Sequence, residues 1–231
     1  MVFKSIMLAG ITLGFTSSVA SASLHDKGGY VGTSFGVSQL FGKRTDSISN
    51  NLFTLTLFPN KRMRDTSLEA ALFAGYRYVP CHTNLVFSLE GSFAYGPYEQ
   101  SVFRDLTPGF NGNQVAIFTR GIGYAITARA GYIVHQRLMP YLLIGERMDR
   151  FTYTSIAPNA SSVHQRKFVV GADFGGGIET CLKGVKTALE FKYTYYHRET
   201  RFAVEATTGD RAIINARPQS ASLSLRFTYV F

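Results

Sequence analysis

The chain ends in Gln219-Ser-Ala-Ser-Leu-Ser-Leu-Arg-Phe-Thr-Tyr-Val-Phe231. In an extended strand Ala221, Leu223, Leu225, Phe227, Tyr229 and Phe231 point one way, and Ser222, Ser224, Arg226 and Thr228 the other. One face is wholly apolar and finishes in an aromatic residue; the opposite face is small, polar or charged. A strand in a soluble core has no reason to stop at its greasiest side chain. A barrel strand in a bilayer does, because its outer face meets hydrocarbon and its inner face a polar lumen.

The same alternation recurs along the chain in eight segments. They cover about 30–40, 67–79, 84–98, a fourth ending near 134, a fifth after Pro140, 167–181, 185–197 and the terminal strand. The fifth is the least regular. Its alternation breaks down around Gly145 to Arg150, which predicts a bulge or the membrane rim there. Connectors near 80–83, 135–139 and 182–184 are short, whereas 41–66, 99–116, 154–166 and 198–218 are long. The pattern predicts an all-β chain: one eight-stranded antiparallel transmembrane β-barrel with short periplasmic turns and long extracellular loops. Loop one holds the apolar, alternating run Asn51-Leu-Phe-Thr-Leu-Thr-Leu-Phe58, read either as a hairpin extending the barrel and folded on loop two around 103–110, or as a partner surface.

The other end of the chain agrees. Lys4 is followed by an apolar run from Ile6 to Phe15 and by Ala20-Ser21-Ala22, the pattern of a secretory signal peptide over residues 1–22 cut after Ala22. Ser23, not Cys, follows, so nothing suggests a lipid anchor, and residues 23–231 form a single barrel domain. No later stretch reaches the roughly 18 apolar residues of a spanning helix, although 45% of the chain is hydrophobic and 14% aromatic. That apolar content, spread in alternation, suits a wall in which every second residue meets lipid. There is no Trp, so the 13 Tyr and 19 Phe must form any interfacial girdle. A soluble lipocalin-like barrel is disfavoured, since it would keep its apolar residues inside. The net charge of +9 suggests anionic lipopolysaccharide rather than nucleic acid for an exported chain, or simply soluble loops.

The inward parity collects Glu69, Arg77, Glu90, Arg129, Asp173, Glu179, Glu190, Lys192 and Arg226, acids and bases in near balance. Eight strands enclose a lumen only wide enough for side chains to fill. Unpaired charges there are costly, so these groups are expected to pair and plug the lumen. The competing reading is a narrow or gated path for ions or small solutes through the same residues.

Two family resemblances attach to these segments. The run Leu225-x-Phe227-x-Tyr229-x-Phe231 resembles the carboxy-terminal targeting strand of bacterial outer-membrane barrels, which implies recognition by the outer-membrane insertion machinery. The segments Gly28-Gly-Tyr-Val-Gly-Thr-Ser-Phe-Gly, Ala128-Arg-Ala-Gly-Tyr-Ile, Pro140-Tyr-Leu-Leu-Ile-Gly and Val170-Gly-Ala-Asp-Phe-Gly-Gly-Gly-Ile-Glu, followed by Leu189-Glu-Phe-Lys-Tyr, resemble the small OmpA/OmpX-type eight-stranded porin-like family over essentially the whole mature chain. The peptidoglycan-binding domain of OmpA itself is absent from this sequence.

Candidate chemistry is sparse. Cys81 and Cys181 fall at the turn end after strands opposite each other in the ring, so a bridge is not expected despite an oxidising location. His25, His82 and His135 lie near the same end, but no C-x-x-C or H-x-x-H spacing supports a metal site. Some eight-stranded barrels act on lipid A, so His197 near the loop end, and His164 beside Ser161 and Ser162, are weighed as bases for a serine nucleophile. His197 lacks the His-x-Ser-Asn context of that class. No helix, Gly-rich phosphate loop or nucleotide motif is present, and no cofactor is expected. The reading that results is a non-enzymatic protein of the Gram-negative outer membrane, with a structural and surface-interaction role. It touches lipid and lipopolysaccharide through the barrel and a host or surface ligand through its loops. A narrow channel and a lipid A-modifying enzyme stand as the alternatives.

Overall fold

A computed structural model describes residues 23–49, 54–104, 114–134, 137–156, 163–182, 184–197, 200–205 and 211–231. The predicted leader, His135, Ser161, Ser162 and most of 103–110 lie outside these residues. The strands are β1 (Gly28–Ser49), β2 (Thr54–Tyr78), β3 (Leu85–Arg104), β4 (Gln114–Tyr132), β5 (Leu138–Ile156), β6 (Val163–Leu182), β7 (Val185–Tyr196), β8 (Thr200–Glu205) and β9 (Arg211–Val230). Neighbours pair antiparallel in the order β1 to β7, then β9, and β9 pairs back onto β1. Short β8 pairs with the loop-end half of β9 and continues the line of β7 past a break at His197. The fold is thus a closed eight-stranded antiparallel barrel, in which closure gives each wall strand two neighbours, β2 meeting β3 from Ala70 to Tyr78.

The wall faces outward as the alternation requires. Leu68 is 76% exposed, Leu142 73% and Ile126 64%, and most other outward Leu, Ile, Phe and Tyr of the spanning strands are exposed with them. These side chains form a continuous apolar belt, the face a transmembrane barrel turns to hydrocarbon. β9 ends that belt: Leu225, Phe227, Tyr229 and Phe231 are all exposed, and the Phe231 amide donates to the Gly29 carbonyl at 2.9 Å, sealing the last residue against β1.

β5 does not lose its alternation. From Tyr141 to Tyr153 odd-numbered residues point inward without interruption, and pairing with β6 runs from Leu138 to Ser155 with no register shift. The expected irregularity around 145–150 was an effect of polarity: Glu146 and Arg150 face out while Arg147 and Asp149 face in, so charge appears on both faces of an undisturbed strand. The bulge lies instead on β4, between Arg120 and Gly123, where one extra residue reverses the parity above it. Much of the length between the membrane segments is also strand. β1 and β2 pair as far as Ser49 and Thr54, so Thr54–Phe58 of the apolar run belongs to a hairpin that raises the wall.

Three layers fill the interior. Leu40, Met63, Tyr98, Phe118, Phe151 and Tyr153 lead an apolar cluster at the loop end. Leu24, Val79, Val86, Ile133, Met139 and Leu143 form another at the turn end. Leu24 is completely buried although it precedes β1: its side chain tucks into the mouth of the barrel, while His25 and Lys27 beside it are exposed. Charged side chains occupy the space between. Gly32 makes room for the middle layer, because a Cβ there would collide with the ring of Phe73, which lies 3.9 Å beneath the Arg226 guanidinium.

Candidate functional site

The charged layer joins strands in two ways: some ion pairs link neighbouring strands along the wall, and others, such as Glu90–Arg226, Arg129–Glu190 and Glu69–Arg147, cross the lumen. At its centre are two acids and two bases. Glu90 of β3 meets Arg226 of β9 at 2.5 Å and Arg129 of β4 at 2.7 Å. Glu190 of β7 meets Arg129 at 3.2 Å and Arg226 at 3.3 Å. The hydroxyl of Tyr30 donates to Glu90 at 3.2 Å and that of Tyr141 to Glu190 at 2.9 Å, completing a closed ring of donors and acceptors. Both carboxylates are 2% exposed.

Toward the loop end a second group repeats the balance. Arg147 of β5 binds Glu69 of β2 at 3.1 Å and Asp149 of its own strand at 3.0 Å. Arg120 of β4 pairs with Glu69 and, at 3.4 Å, with Asp149, which also accepts from the Tyr196 hydroxyl. Between the two groups Lys192 lies 3.8 Å from Asp173, whose other oxygen accepts from Thr194 at 2.7 Å. Toward the turn end Arg77 donates to Glu179 at 2.6 Å and to the Leu24 carbonyl at 2.9 Å. Lys186 lies 3.7 Å from Asp26 of the tucked segment. In every group acids and bases are equal in number, which offsets the desolvation each charge would otherwise suffer.

All nine residues assigned to the interior from the sequence face the lumen and meet a partner of opposite charge there. The sequence reading missed Arg120, Arg147, Asp149 and Lys186. The parity reversal on β4 hides Arg120, the doubly charged stretch hides Arg147 and Asp149, and Lys186 sits beside a turn although it shares the parity of Glu190. Asp26, before the first strand, carried no strand signal at all.

The layer leaves little space. One cavity between Tyr30, Arg77, Glu90, Arg129 and Glu179 has about 20 Å³, and another beside Glu69, Phe73, Lys192 and Arg226 has about 20 Å³. Each holds about one water molecule, and the apolar clusters close off both ends. A groove of about 840 Å³ lies at the loop end and includes Lys43, Arg62, Arg217 and His197. None of the residues lining it is a serine or a carboxylate. His164 instead shares a 2.9 Å hydrogen bond with Thr154. Neither cysteine is in a disulfide: Cys81 is exposed, and Cys181 is half-buried and packed against the turn-end cluster.

The chain is similar to several solved structures. The outer membrane protein OprG from Pseudomonas aeruginosa is 12% identical, covering 89% of this chain and 98% of that one with a TM-score of 0.55. The outer membrane protease OmpT from Escherichia coli is 9% identical, covering 92% and 100% with a TM-score of 0.48. Ail, the attachment invasion locus protein of Yersinia pestis, solved with the heparin analogue sucrose octasulfate, is 12% identical, covering 87% and 99% with a TM-score of 0.44. Likeness at this identity concerns the fold alone. No protein-family model matches the chain, and no curated protein does.

Proposed function

We propose that this chain is an outer-membrane barrel of a Gram-negative bacterium that acts as a closed anchor, holding its loop-end hairpins at the cell surface for structural and recognition roles. The observation that carries the reading is the lumen. Ion pairs fill it, apolar clusters bound it at both ends, and the two cavities described among these residues are each about 20 Å³. A diffusion channel needs a continuous wet path, and this arrangement argues against one. The exposed apolar belt supports the membrane location, and OprG, an outer membrane protein, lends the same fold.

Export through cleavage after Ala22 fits the geometry of the mature start. The Ser23 nitrogen donates to the Asp26 carboxylate at 2.7 Å, and as a free ammonium group it would add charge to that contact beside Lys186. The exposed Leu225, Phe227, Tyr229 and Phe231 are assigned the role of insertion signal.

Planar-bilayer recording on protein shown to be folded tests the closed-anchor reading. A trace without steps under both polarities is the expected result. Reproducible single-channel steps that change on Glu90→Gln or Arg129→Gln would establish the narrow channel instead.

A further inference from the structure

We infer that the outward face of β5 meets a second copy of this chain within the membrane, with the Glu146 carboxyl groups of the two copies hydrogen-bonded to each other. The inference rests on the outer-membrane reading and goes beyond it. Glu146 faces out and is exposed. Its register partners are Ile126 of β4, 64% exposed, and Ala172 of β6. On its own strand the next outward residues are Ile144 and Met148, both exposed. No hydrogen bond or ion pair reaches its carboxylate from the described residues. Arg150, the next charged residue up the same face of β5, lies beside Gly121 of the β4 bulge instead.

The register fixes how deep this carboxylate sits. Four pairing steps lead from Val31 of β1 through β2, β3 and β4 to Glu146. Four more lead through β6, β7 and β9 to Phe41, again on β1. Each step around a tilted ring climbs by an equal amount, so Glu146 stands level with the middle of the stretch from Val31 to Phe41. The outward side chains there are Phe35 and Val37, 57% and 49% exposed. Glu146 is thus inside the apolar belt. Among the described residues no other charged side chain faces out at the depth of that belt. A charge on the lipid face of a barrel wall is destabilising, and an ionisable group at membrane depth marks a contact.

Charge and shape both select a second copy. No described Lys or Arg faces out on the belt, so a copy offers no cation at that depth; what it offers level with Glu146 is its own Glu146. A two-fold axis along the membrane normal sets the two face to face, the isologous arrangement commonest among dimers. The O–H of one carboxyl then donates to the other, a short hydrogen bond where no water competes for it. Strands tilted about 40° cross their copies at about 80°, so the contact is confined to the neighbourhood of Glu146. Within it Met148 rises to one side of Glu146 and Ala172 to the other, so the axis sets Met148 of each copy over the small Ala172 of the other. Ala128, the register partner of Ile144, lies beneath Glu146 and meets its own copy, and its short side chain lets the walls approach.

Energy transfer between full barrels refolded into lipid vesicles tests this, with donor and acceptor dyes on the exposed Cys81 of a Cys181→Ala background. A fast-migrating unboiled gel band confirms folding of each variant. Transfer above random encounter, falling as lipid is added, is the expected result. Glu146→Leu adds apolar surface yet should weaken association about tenfold, the weight of one hydrogen bond made in lipid. Glu146→Gln, whose amide both donates and accepts, should associate within about threefold of the parent barrel. Ala172→Phe fills the hollow under Met148 and should weaken association as well. Leu72→Ala on β2, 62% exposed and away from the contact, should leave it unchanged. Random transfer from the parent barrel, a Glu146→Leu variant that associates as well as the parent, or association that vanishes on chelating divalent cations would each overturn the proposal, the last by placing a metal ion between the carboxylates. A folded, heat-modifiable barrel that stays monomeric sinks this contact only; absence of the folded band would instead sink the membrane reading.

Discussion

Replacing Glu90 by Gln keeps the shape and the acceptor oxygen but removes one negative charge from the centre of the lumen. Glu90 now compensates Arg226 at 2.5 Å and Arg129 at 2.7 Å. In Glu90→Gln both guanidinium groups depend on Glu190, 3.2 and 3.3 Å away, and one buried positive charge is left without a counter-charge. Breaking a buried pair in this way costs about 3–5 kcal/mol. With a urea slope of about 3 kcal/mol per molar, the upper end for domains of ordinary size, the unfolding midpoint should fall by about 1–1.7 M. The double variant Glu90→Gln/Arg226→Met restores the balance, leaves Arg129 paired with Glu190, and keeps an unbranched chain over Phe73. It should recover more than half of the loss. Urea titration in micelles, followed by tyrosine emission and by unboiled gel mobility, measures both. A midpoint shift below about 0.3 M for the single variant, roughly 1 kcal/mol at that slope, or a double variant no more stable than the single, would refute compensation as the reason these charges tolerate burial.

Three further outcomes follow from the packing. Leu24→Ala empties a fully buried position in the turn-end cluster and should cost about 2–5 kcal/mol in the same titration; an unchanged midpoint would mean that Leu24 does not seal the mouth. Gly32→Val places side-chain atoms where the Phe73 ring lies and should push that ring off Arg226, lowering the yield of the fast-migrating folded form. Deleting Phe231 removes the residue sealed to Gly29 and should reduce insertion in cells more than stability of protein refolded in detergent, measured as outer-membrane yield against urea midpoint.

Legibility in the sequence followed the solvent on each face. Where one face meets lipid and the other the lumen, as from Leu223 to Phe231 or Phe168 to Ile178, polarity and pleat share a period and the strand can be read directly. The stretch from Lys43 to Ser49 shows no apolar alternation in the sequence, although it pairs with β9 throughout and with β2 everywhere but at Thr45. Parity counting found Glu90, Arg129, Glu190 and Arg226, because no bulge lies between them and the lipid-facing residues that set the register. It failed for Arg120, since the extra residue before Gly123 is visible only in the pairing.

The central claim, that the apolar side chains face lipid around a shut lumen, can be tested through a gap in the composition: the chain has no Trp. Single substitutions Leu225→Trp and Leu142→Trp place one reporter on the belt, at positions 49% and 73% exposed. The protein is refolded into vesicles whose acyl chains carry bromine near their midpoint. Blue-shifted emission, strongly quenched by the brominated lipid and untouched by aqueous iodide, is the predicted result at both positions. Red-shifted emission quenched by iodide and indifferent to bromine would put those residues in water and contradict the account.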